Sequence, residues 1–308
     1  MLRSDFYNET DESRKTPDPQ VDELLKGAVD LHQHAEPSPS PIPRRLDIME
    51  AVEDAASAGY RAVLIKSHHD NTARMVAALK SAGLDDFGVQ VLGGVALNWY
   101  TGNVSPYVVE NALYSGAKMI WLPTISSTAH LAKDHAPGST FANPPLKEGP
   151  ANLVTDEGGN PTAEVRDIFS LIAKYDAILN FGHLSADEID SVMPAAIESG
   201  VQRMIVSHPP LLAGGSPERA AAWAAKGAKI EHVAGTFRRM QVEDLDRYID
   251  ATGIENTFLS SDYGQMANPL PVTGFRMTAR RLLDAGWSED KVRRFIAGTA
   301  GELIDGLV

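Results

Sequence analysis

Eight short apolar runs, each ending in polar residues, recur along the chain from residue 28 onward. Segments with helical periodicity separate them, as in parallel strands that are joined by crossover helices. The runs cover residues 28–34, 62–69, 89–98, 117–124, 177–183, 203–208, 228–233 and 257–262. Eight such units predict one (β/α)8 TIM barrel over residues 27–308, after a lead-in over residues 1–26, and leave a doubly wound sheet as the alternative.

The connection after the fourth strand is longer than the others. It covers residues 125–161 and is rich in Pro, Gly, Asn and Ser. Loops of that length in a compact domain are usually functional lids or disordered segments. We therefore expect an extended loop or lid here, with a small hairpin that turns at Gly158 and Gly159.

Histidines are concentrated at the C-terminal ends of the predicted strands. Seven of the nine lie there, and the other two, His130 and His135, lie in the long loop. The seven are His32, His34, His68, His69, His183, His208 and His232. Because the C-terminal ends of barrel strands meet at one mouth, where catalytic groups lie, five different strands are expected to direct imidazoles to one place.

The chain has no cysteine, so a metal would have to be held by His, Asp, Glu or a modified Lys. His32 and His34 are two residues apart on a strand and should point to the same side, where they could share a divalent cation. Asp262 adds a carboxylate at the end of the last strand, and could bind metal and accept a proton from water. The prediction is one or two divalent ions, zinc first, with manganese, iron or nickel as alternatives.

Other strand-end residues have two interpretations. His69 and His232 are typical of hydrogen-bonded polar caps. Glu231 is either an acid/base or the ion-pair partner of Lys66 or Arg238. Four residues, Trp99, Tyr100, Tyr263 and His130, are predicted to contact substrate, although the three aromatic residues could equally pack at the rim and His130 could be solvated.

The motifs "HQH" at residues 32–34, "GH" at His183, "SH" at His208 and "SSD" at Asp262 resemble those of the amidohydrolase superfamily. The resemblance covers residues 27–308, and more narrowly the chain is similar to a poorly characterised bacterial branch. It implies that His32, His34, His183 and Asp262 bind a divalent metal, and that His208 completes a second site or contacts the bound water.

Two-metal members of the superfamily have a bridging Lys carbamate or Glu, commonly on the fourth strand. This chain has "WLPT" there, at residues 121–124, with neither residue type. Lys66 on the second strand could be carbamylated instead, or could hold an anionic substrate as an ammonium. His68, two residues further on, should face the same way.

The resemblance implies a metal-dependent hydrolase that acts on a small molecule at a C–N bond through activated water. Asp262 would transfer the proton, and His208, Lys66 or His68 would stabilise developing charge. One alternative is a metal-dependent decarboxylase or hydratase, another is a ligand-binding barrel without catalysis, and a third is a seven-stranded phosphoesterase that also begins with HxH.

Charge and hydropathy bear on partners and location. The net charge is −13, without a basic stripe, which argues against nucleic-acid binding. No apolar run approaches the length of a membrane-spanning helix, and residues 1–19 are polar. We expect a cytoplasmic protein with a small-molecule substrate and no membrane or nucleic-acid partner. The oligomeric state is left open, with a homo-oligomer as one option.

Overall fold

The computed structural model describes residues 17–40, 42–134, 146–238 and 240–307. Its framework is one eight-stranded sheet with the strands in sequence order and every neighbouring pair parallel. The strands are β1 (Val29–His34), β2 (Ala62–Lys66), β3 (Gln90–Ala96), β4 (Met119–Trp121), β5 (Ile178–Asn180), β6 (Arg203–Ser207), β7 (Ala228–Val233) and β8 (Thr257–Ser260). The predicted (β/α)8 barrel is confirmed, and each predicted run contains one strand.

Helices alternate with the strands. They are α1 (Pro19–Leu25), α2 (Ile48–Ser57), α3 (Thr72–Lys80), α4 (Pro106–Tyr114), α5 (Thr128–Asp134), α6 (Ala163–Lys174), α7 (Ala186–Glu198), α8 (Pro217–Ala225), α9 (Val242–Thr252), α10 (Pro271–Asp284), α11 (Glu289–Arg293) and α12 (Thr299–Ile304). A π-helical segment, Arg294–Gly298, joins α11 to α12. No helix in the described part of the chain is long and apolar enough to cross a membrane.

The long connection after β4 contains a helix. Helix α5 lies inside it, and the hydroxyl of Ser127 accepts a hydrogen bond from the His130 amide in its first turn. The predicted hairpin is reduced to one antiparallel bridge between Thr155 and Pro161. His135 lies outside the described residues.

Apolar side chains fill the interior of the barrel, so the strands cannot form a pore. The interior cluster includes Leu31, Leu64, Trp121 and Phe258, all nearly inaccessible. Residues of α12 belong to the same cluster and close the N-terminal end of the barrel. Polar residues are therefore left to converge at the opposite end, where the strands finish.

The barrel closes between β1 and the residues just past β8. The amide of Asp262 donates to the His32 carbonyl at 2.8 Å, and the His34 amide donates to the Tyr263 carbonyl at 2.8 Å. Gly264 is needed there, because a Cβ on it would lie 1.9 Å from the His34 carbonyl oxygen. This seam brings the end of the chain's last strand onto the HxH segment.

Part of the predicted lead-in is packed against the barrel. Helix α1 starts behind Asp18, whose carboxylate accepts a hydrogen bond from the Val21 amide. It buries Val21, Leu24 and Leu25 in the apolar cluster outside the barrel. Residues 1–16 lie outside the described part of the chain.

Candidate metal centre

Five imidazoles form a closed circle at the mouth of the barrel. Going round it, the ring centroids are separated by 5.5 Å from His32 to His34, 5.1 Å to His68, 5.6 Å to His183, 5.2 Å to His208 and 6.2 Å back to His32. Strands β1, β2, β5 and β6 each contribute at least one of them. Imidazoles from four of the five expected strands therefore converge, whereas His232 of β7 lies elsewhere. We call the five converging residues the histidine circle.

Within this circle, His32, His34 and Asp262 present ligand atoms that all lie within 4.8 Å of one another. The Asp262 carboxylate oxygen lies 3.0 Å from Nε2 of His32 and 3.3 Å from Nε2 of His34. His32 and His34 are buried, whereas 27% of the Asp262 side chain is exposed toward the mouth. Two imidazole nitrogens and one carboxylate oxygen form a donor set that suits a divalent transition metal.

Local backbone irregularities direct these side chains. The pairing of β1 with β2 shifts register between Asp30 and Gln33, a bulge at the HxH segment. Asp262 and His208 both have positive φ, at 51° and 38°, which is uncommon for residues other than glycine. Bulges and left-handed residues cost energy and are concentrated at functional sites, where they re-aim side chains.

Unpaired buried nitrogens also fit a bound cation. Neither ring nitrogen of His34, nor Nδ1 of His208, has a hydrogen-bond partner among the described residues. Leaving buried polar atoms unpaired is costly, so such atoms call for a functional explanation. A metal could coordinate one nitrogen of each ring.

Opposing charges set the protonation of the site. Burial lowers the pKa of His34 to about 3 and that of His208 to about 4, so both are neutral and able to bind metal. For His32, burial and the Lys66 charge act downward, but the carboxylates of Asp262 and Glu231 raise its pKa to about 9. Despite burial, the adjacent His32 and His34 hold the pKa of Asp262 well below its usual range.

Glu231 lies behind His32. Its carboxylate is 3.3 Å from Nδ1 of His32 and is buried, with 1% of the side chain exposed. This arrangement fixes the His32 ring so that Nε2 faces the circle, as carboxylates behind metal-binding histidines commonly do. The sequence left Glu231 open as an acid/base or as an ion-pair partner of Lys66 or Arg238, and the contact that the structure gives it is the one with Nδ1 of His32.

The amine of Lys66 lies beside His32 and the ring of Trp121 on β4. Its Nζ lies 2.8 Å from Nε2 of His32 and 5.6 Å from the centre of the Trp121 ring. Burial lowers the pKa of Lys66 to about 8, although Asp262 and Glu231 act against that change. Trp121 stands on the strand that commonly carries the bridging acid or lysine in the resembled superfamily, and Lys66 reaches the site from the second strand.

His68 is oriented through a hydrogen-bond chain. The Asn98 side-chain amide donates to Oγ1 of Thr124 at 2.7 Å, and Oγ1 lies 2.8 Å from Nδ1 of His68. Since the hydroxyl has only one proton and no other acceptor among the described residues, Thr124 donates to Nδ1 of His68. The remaining proton of the neutral ring is then on Nε2, and burial holds the pKa of His68 well below its usual value.

His183 follows β5 and is supported by α5. Its Nδ1 lies 3.0 Å from Nδ1 of His130, and the two rings are stacked with centroids 5.0 Å apart. His130, predicted as a substrate contact, thus lies against His183 and is half-buried. Such a partner fixes the ring of a metal ligand, which leaves Nε2 of His183 for the site.

Trp99 and Tyr100 hold the long connection at the mouth. Nε1 of Trp99 donates to the Pro150 carbonyl at 2.7 Å, and the Tyr100 hydroxyl donates to the Lys147 carbonyl at 3.1 Å. The Tyr100 ring also stacks on His69, with centroids 5.0 Å apart. These aromatic residues anchor the loop that covers the rim, rather than joining the histidine circle.

Three further strand-end residues lie apart from the circle. Tyr263 is buried in the apolar cluster between barrel and helices, against Gly274, so its ring does not line the mouth. His232 is fully buried on the outer side of β7, where it contacts Tyr248 and Phe295. Neither His232 nor His69 has the polar cap expected from sequence, since their ring nitrogens lack hydrogen-bond partners among the described residues.

Sequence reasoning missed three contributors. Asp30 accepts from the amides of His32 and Ser261 and thereby joins β1 to the seam. Thr124 sets the His68 tautomer. Arg44, in the turn after β1, is buried beside the site with 4% of its surface exposed. The i, i+2 spacing of Asp30 and His32 was a usable signal for the first; the other two depend on contacts between distant segments.

A protein-family model matches about two thirds of the chain. The model of a family of unknown function, DUF6282, matches residues 27–231. The chain belongs to this family. No curated protein matches the DUF6282 chain.

Solved structures share its fold at low identity. The probable dipeptidase PvdM from Pseudomonas aeruginosa aligns with a TM-score of 0.64 at 10% identity, over 93% of this chain and 97% of that one. The 2,6-dihydroxybenzoate decarboxylase from Rhizobium aligns with a TM-score of 0.58 at 13% identity, over 91% of this chain and 99% of that one. A zinc-bound amidohydrolase from Burkholderia multivorans aligns with a TM-score of 0.53 at 12% identity, over 90% of this chain and 99% of that one. The amidohydrolase resemblance is thus confirmed at the level of the fold.

Proposed function

We propose that this protein is a metal-dependent hydrolase that cleaves a C–N bond, of an amide, cyclic amide or amidine-like group, in a small molecule. The observation that carries the proposal is the convergence of His32, His34 and Asp262 across the barrel seam, with their ligand atoms within 4.8 Å of one another. His183 and His208, the next members of the histidine circle, are proposed to complete the metal coordination.

The proposed cofactor is a divalent ion, with zinc as the first choice. When bound, such an ion would lower the pKa of water and polarise a substrate oxygen. The zinc assignment draws support from the imidazole-rich donor set and from the zinc-bound Burkholderia structure of the same fold. Glu231 and His130 would fix the His32 and His183 rings from behind.

Asp262 is the proposed proton carrier. It is ionised at neutral pH, and it is the member of the donor set with part of its side chain open to the mouth. It can therefore accept the proton of an attacking water and deliver it to the leaving nitrogen.

His68 is the proposed donor to the developing oxyanion. Thr124 occupies its Nδ1, so a proton on Nε2 faces the circle. A preorganised donor in a buried site stabilises charge that develops on a carbonyl oxygen. In this tautomer His68 is a hydrogen-bond donor and not a metal ligand.

Metal content is the first test. Plasma mass spectrometry on the purified protein should find at least one equivalent of transition metal. The His32→Ala, His34→Ala double variant should lose it while circular dichroism shows a folded barrel. A wild-type protein that stays metal-free after supplementation with zinc, manganese, iron and nickel would end the hydrolase proposal.

Decarboxylation is the second candidate, because the Rhizobium decarboxylase shares the fold over most of both chains. The two reactions differ in their products. Hydrolysis of an amide releases an amine and a carboxylic acid, whereas decarboxylation releases carbon dioxide and consumes a carboxylate. Product analysis by NMR, with a panel of amides and a panel of aromatic acids, separates them.

A further inference from the structure

Arg44 is a buried cation whose guanidinium has no hydrogen-bond or ion-pair partner among the described residues. It lies in the turn between β1 and α2, and only 4% of its surface is exposed. Its guanidinium forms no hydrogen bond or ion pair with any described residue, and Nε is fully enclosed. The neighbouring Arg45 is similarly buried at 7%, yet its Nη1 donates to the Asn268 carbonyl at 2.8 Å. A charge left unpaired at such depth is costly unless a ligand pairs with it.

The backbone around Arg44 holds it at the mouth. Glu36 accepts the Arg44 amide at 2.8 Å, and Arg44 forms an antiparallel bridge with Gln265. The Arg45 amide also donates to the Gly264 carbonyl at 2.8 Å. The turn is therefore fastened to the segment that carries Asp262.

Electrostatics agree with this placement. After burial, which is the main cause, the charge of Arg44 also lowers the pKa of His34, His68 and His69. The carboxylates of Glu36 and Asp262 act to raise the pKa of Arg44 against the effect of burial, but neither forms an ion pair with its guanidinium. The guanidinium is thus close enough to act on the site and is still available to a ligand.

We infer that Arg44 binds a carboxylate group of the substrate, which it holds beside the histidine circle. The inference deepens the proposed function and rests on it for the position of the reacting bond. A guanidinium binds a planar carboxylate through two parallel hydrogen bonds, which fixes both position and orientation. The substrate would then be an acid with its scissile group at a fixed distance from the carboxylate.

A phosphate is a poorer match for this position. Phosphate sites commonly use free amides at a helix N-terminus. The nearest one, at α2, is already closed by a capping box between Asp47 and Glu50. Glu36 and Asp262 would also oppose a dianion more strongly than a monoanion.

Calorimetry tests the inference. It measures the binding of acetate, glutarate and benzoate, each compared with its neutral amide. We expect at least one acid to bind the metal-loaded protein and its amide not to bind. Arg44→Met should lower the affinity for that acid by about tenfold or more, and Arg44→Lys should recover part of the affinity. Arg74→Met, an exposed arginine on α3, is the matched control and should bind the acid as wild type does.

Stability supplies a second readout. Since Arg44 has no partner to lose, Arg44→Met should unfold at the same temperature as wild type or higher, whereas Arg45→Met should unfold at a lower temperature. A large loss of stability in Arg44→Met would show a structural role and overturn the inference. The inference would also be overturned if none of the three acids bound, or if all three bound equally well without Arg44. A tenfold preference for inorganic phosphate would overturn it as well.

Repeating the titrations after chelation of the metal separates the two proposals. If the protein cannot bind metal but still binds an acid in a way that depends on Arg44, the hydrolase function alone is refuted. Metal binding at the histidine circle without acid binding that depends on Arg44 would refute this inference alone.

Discussion

Nζ of Lys66 lies 2.8 Å from Nε2 of His32, the same nitrogen that faces Asp262. A cationic amine and a metal ion would repel each other at such a distance, so the amine must be displaced, neutral or modified when a metal is present. The lowered pKa of Lys66, about 8, reduces the cost of the neutral form.

Lys66→Met tests what this amine contributes. We expect the variant to keep one equivalent of metal, because His32, His34 and Asp262 are unchanged. Turnover should fall at least about tenfold, because the variant has no amine to donate a hydrogen bond to the developing oxyanion. Metal analysis and steady-state kinetics measure the two effects. Loss of a metal equivalent would instead mean that Lys66 supplies a ligand.

Glu231→Gln tests the support behind His32. The amide keeps the shape of the side chain but removes the charge that holds the ring. We expect metal affinity to fall by about 10- to 100-fold, as for other groups behind metal ligands. Competition with a chelating dye measures it, and unchanged affinity would show that the contact at 3.3 Å is incidental.

Thr124→Val tests the tautomer of His68. Without the hydroxyl, Nδ1 loses its donor and the ring can move its proton between the two nitrogens. We expect a drop in turnover of about 10- to 100-fold and a loss of stability of about 1–3 kcal/mol, because Asn98 also loses a partner. Nitrogen-15 NMR should show Nε2 of His68 protonated in wild type only; the same tautomer in both proteins would contradict the assignment.

His232 should make stability depend on pH. Burial lowers its pKa to about 3 in the folded protein, against about 6.5 when unfolded. Between these values the unfolded state binds more protons, so the stabilisation is complete above pH 6.5 and is lost as pH falls toward 3. From pH 7 to pH 5 this residue should remove about 2 kcal/mol.

His232→Leu cannot titrate, so its free energy of unfolding should fall less than that of wild type between pH 7 and pH 5. Urea unfolding at both values gives the difference. Equal losses in the two proteins would mean that the buried ring accepts a proton without penalty.

Trp99→Phe tests the anchor of the long connection. The variant loses the hydrogen bond to the Pro150 carbonyl and should lose about 1 kcal/mol of stability. Amides of residues 146–153 should exchange hydrogen faster, as measured by mass spectrometry, while metal content is unchanged. Tyr100→Phe, which removes the second anchor, is the matched comparison, and exchange that is equal to wild type in both variants would contradict an anchoring role.

The scaffold could be predicted because strands buried on both faces give short apolar runs, and eight such runs alternate with segments of helical periodicity. It also predicted the convergence of His32, His183 and His208, since barrel topology brings strand ends together whatever lies between them.

The rest depends on contacts that no local pattern contains. Arg44 gains its position from pairing between the turn after β1 and the segment after β8. The His68 tautomer depends on Asn98 and Thr124, which follow two other strands. Helix α5 forms within a stretch whose Pro and Gly content is typical of loops, and it is fixed by contacts with His183.

The seam of the barrel has a consequence for how the chain matures. Residues of the proposed metal site come from both sides of that seam, His34 from the first strand and Asp262 from beyond the last one. A ribosome must therefore translate past Asp262 before the donor set exists, and a product truncated before that residue would keep the histidines but lack the carboxylate. Bound metal would then act as a clasp between the two ends of the sheet, and metal retention would report that barrel closure is complete.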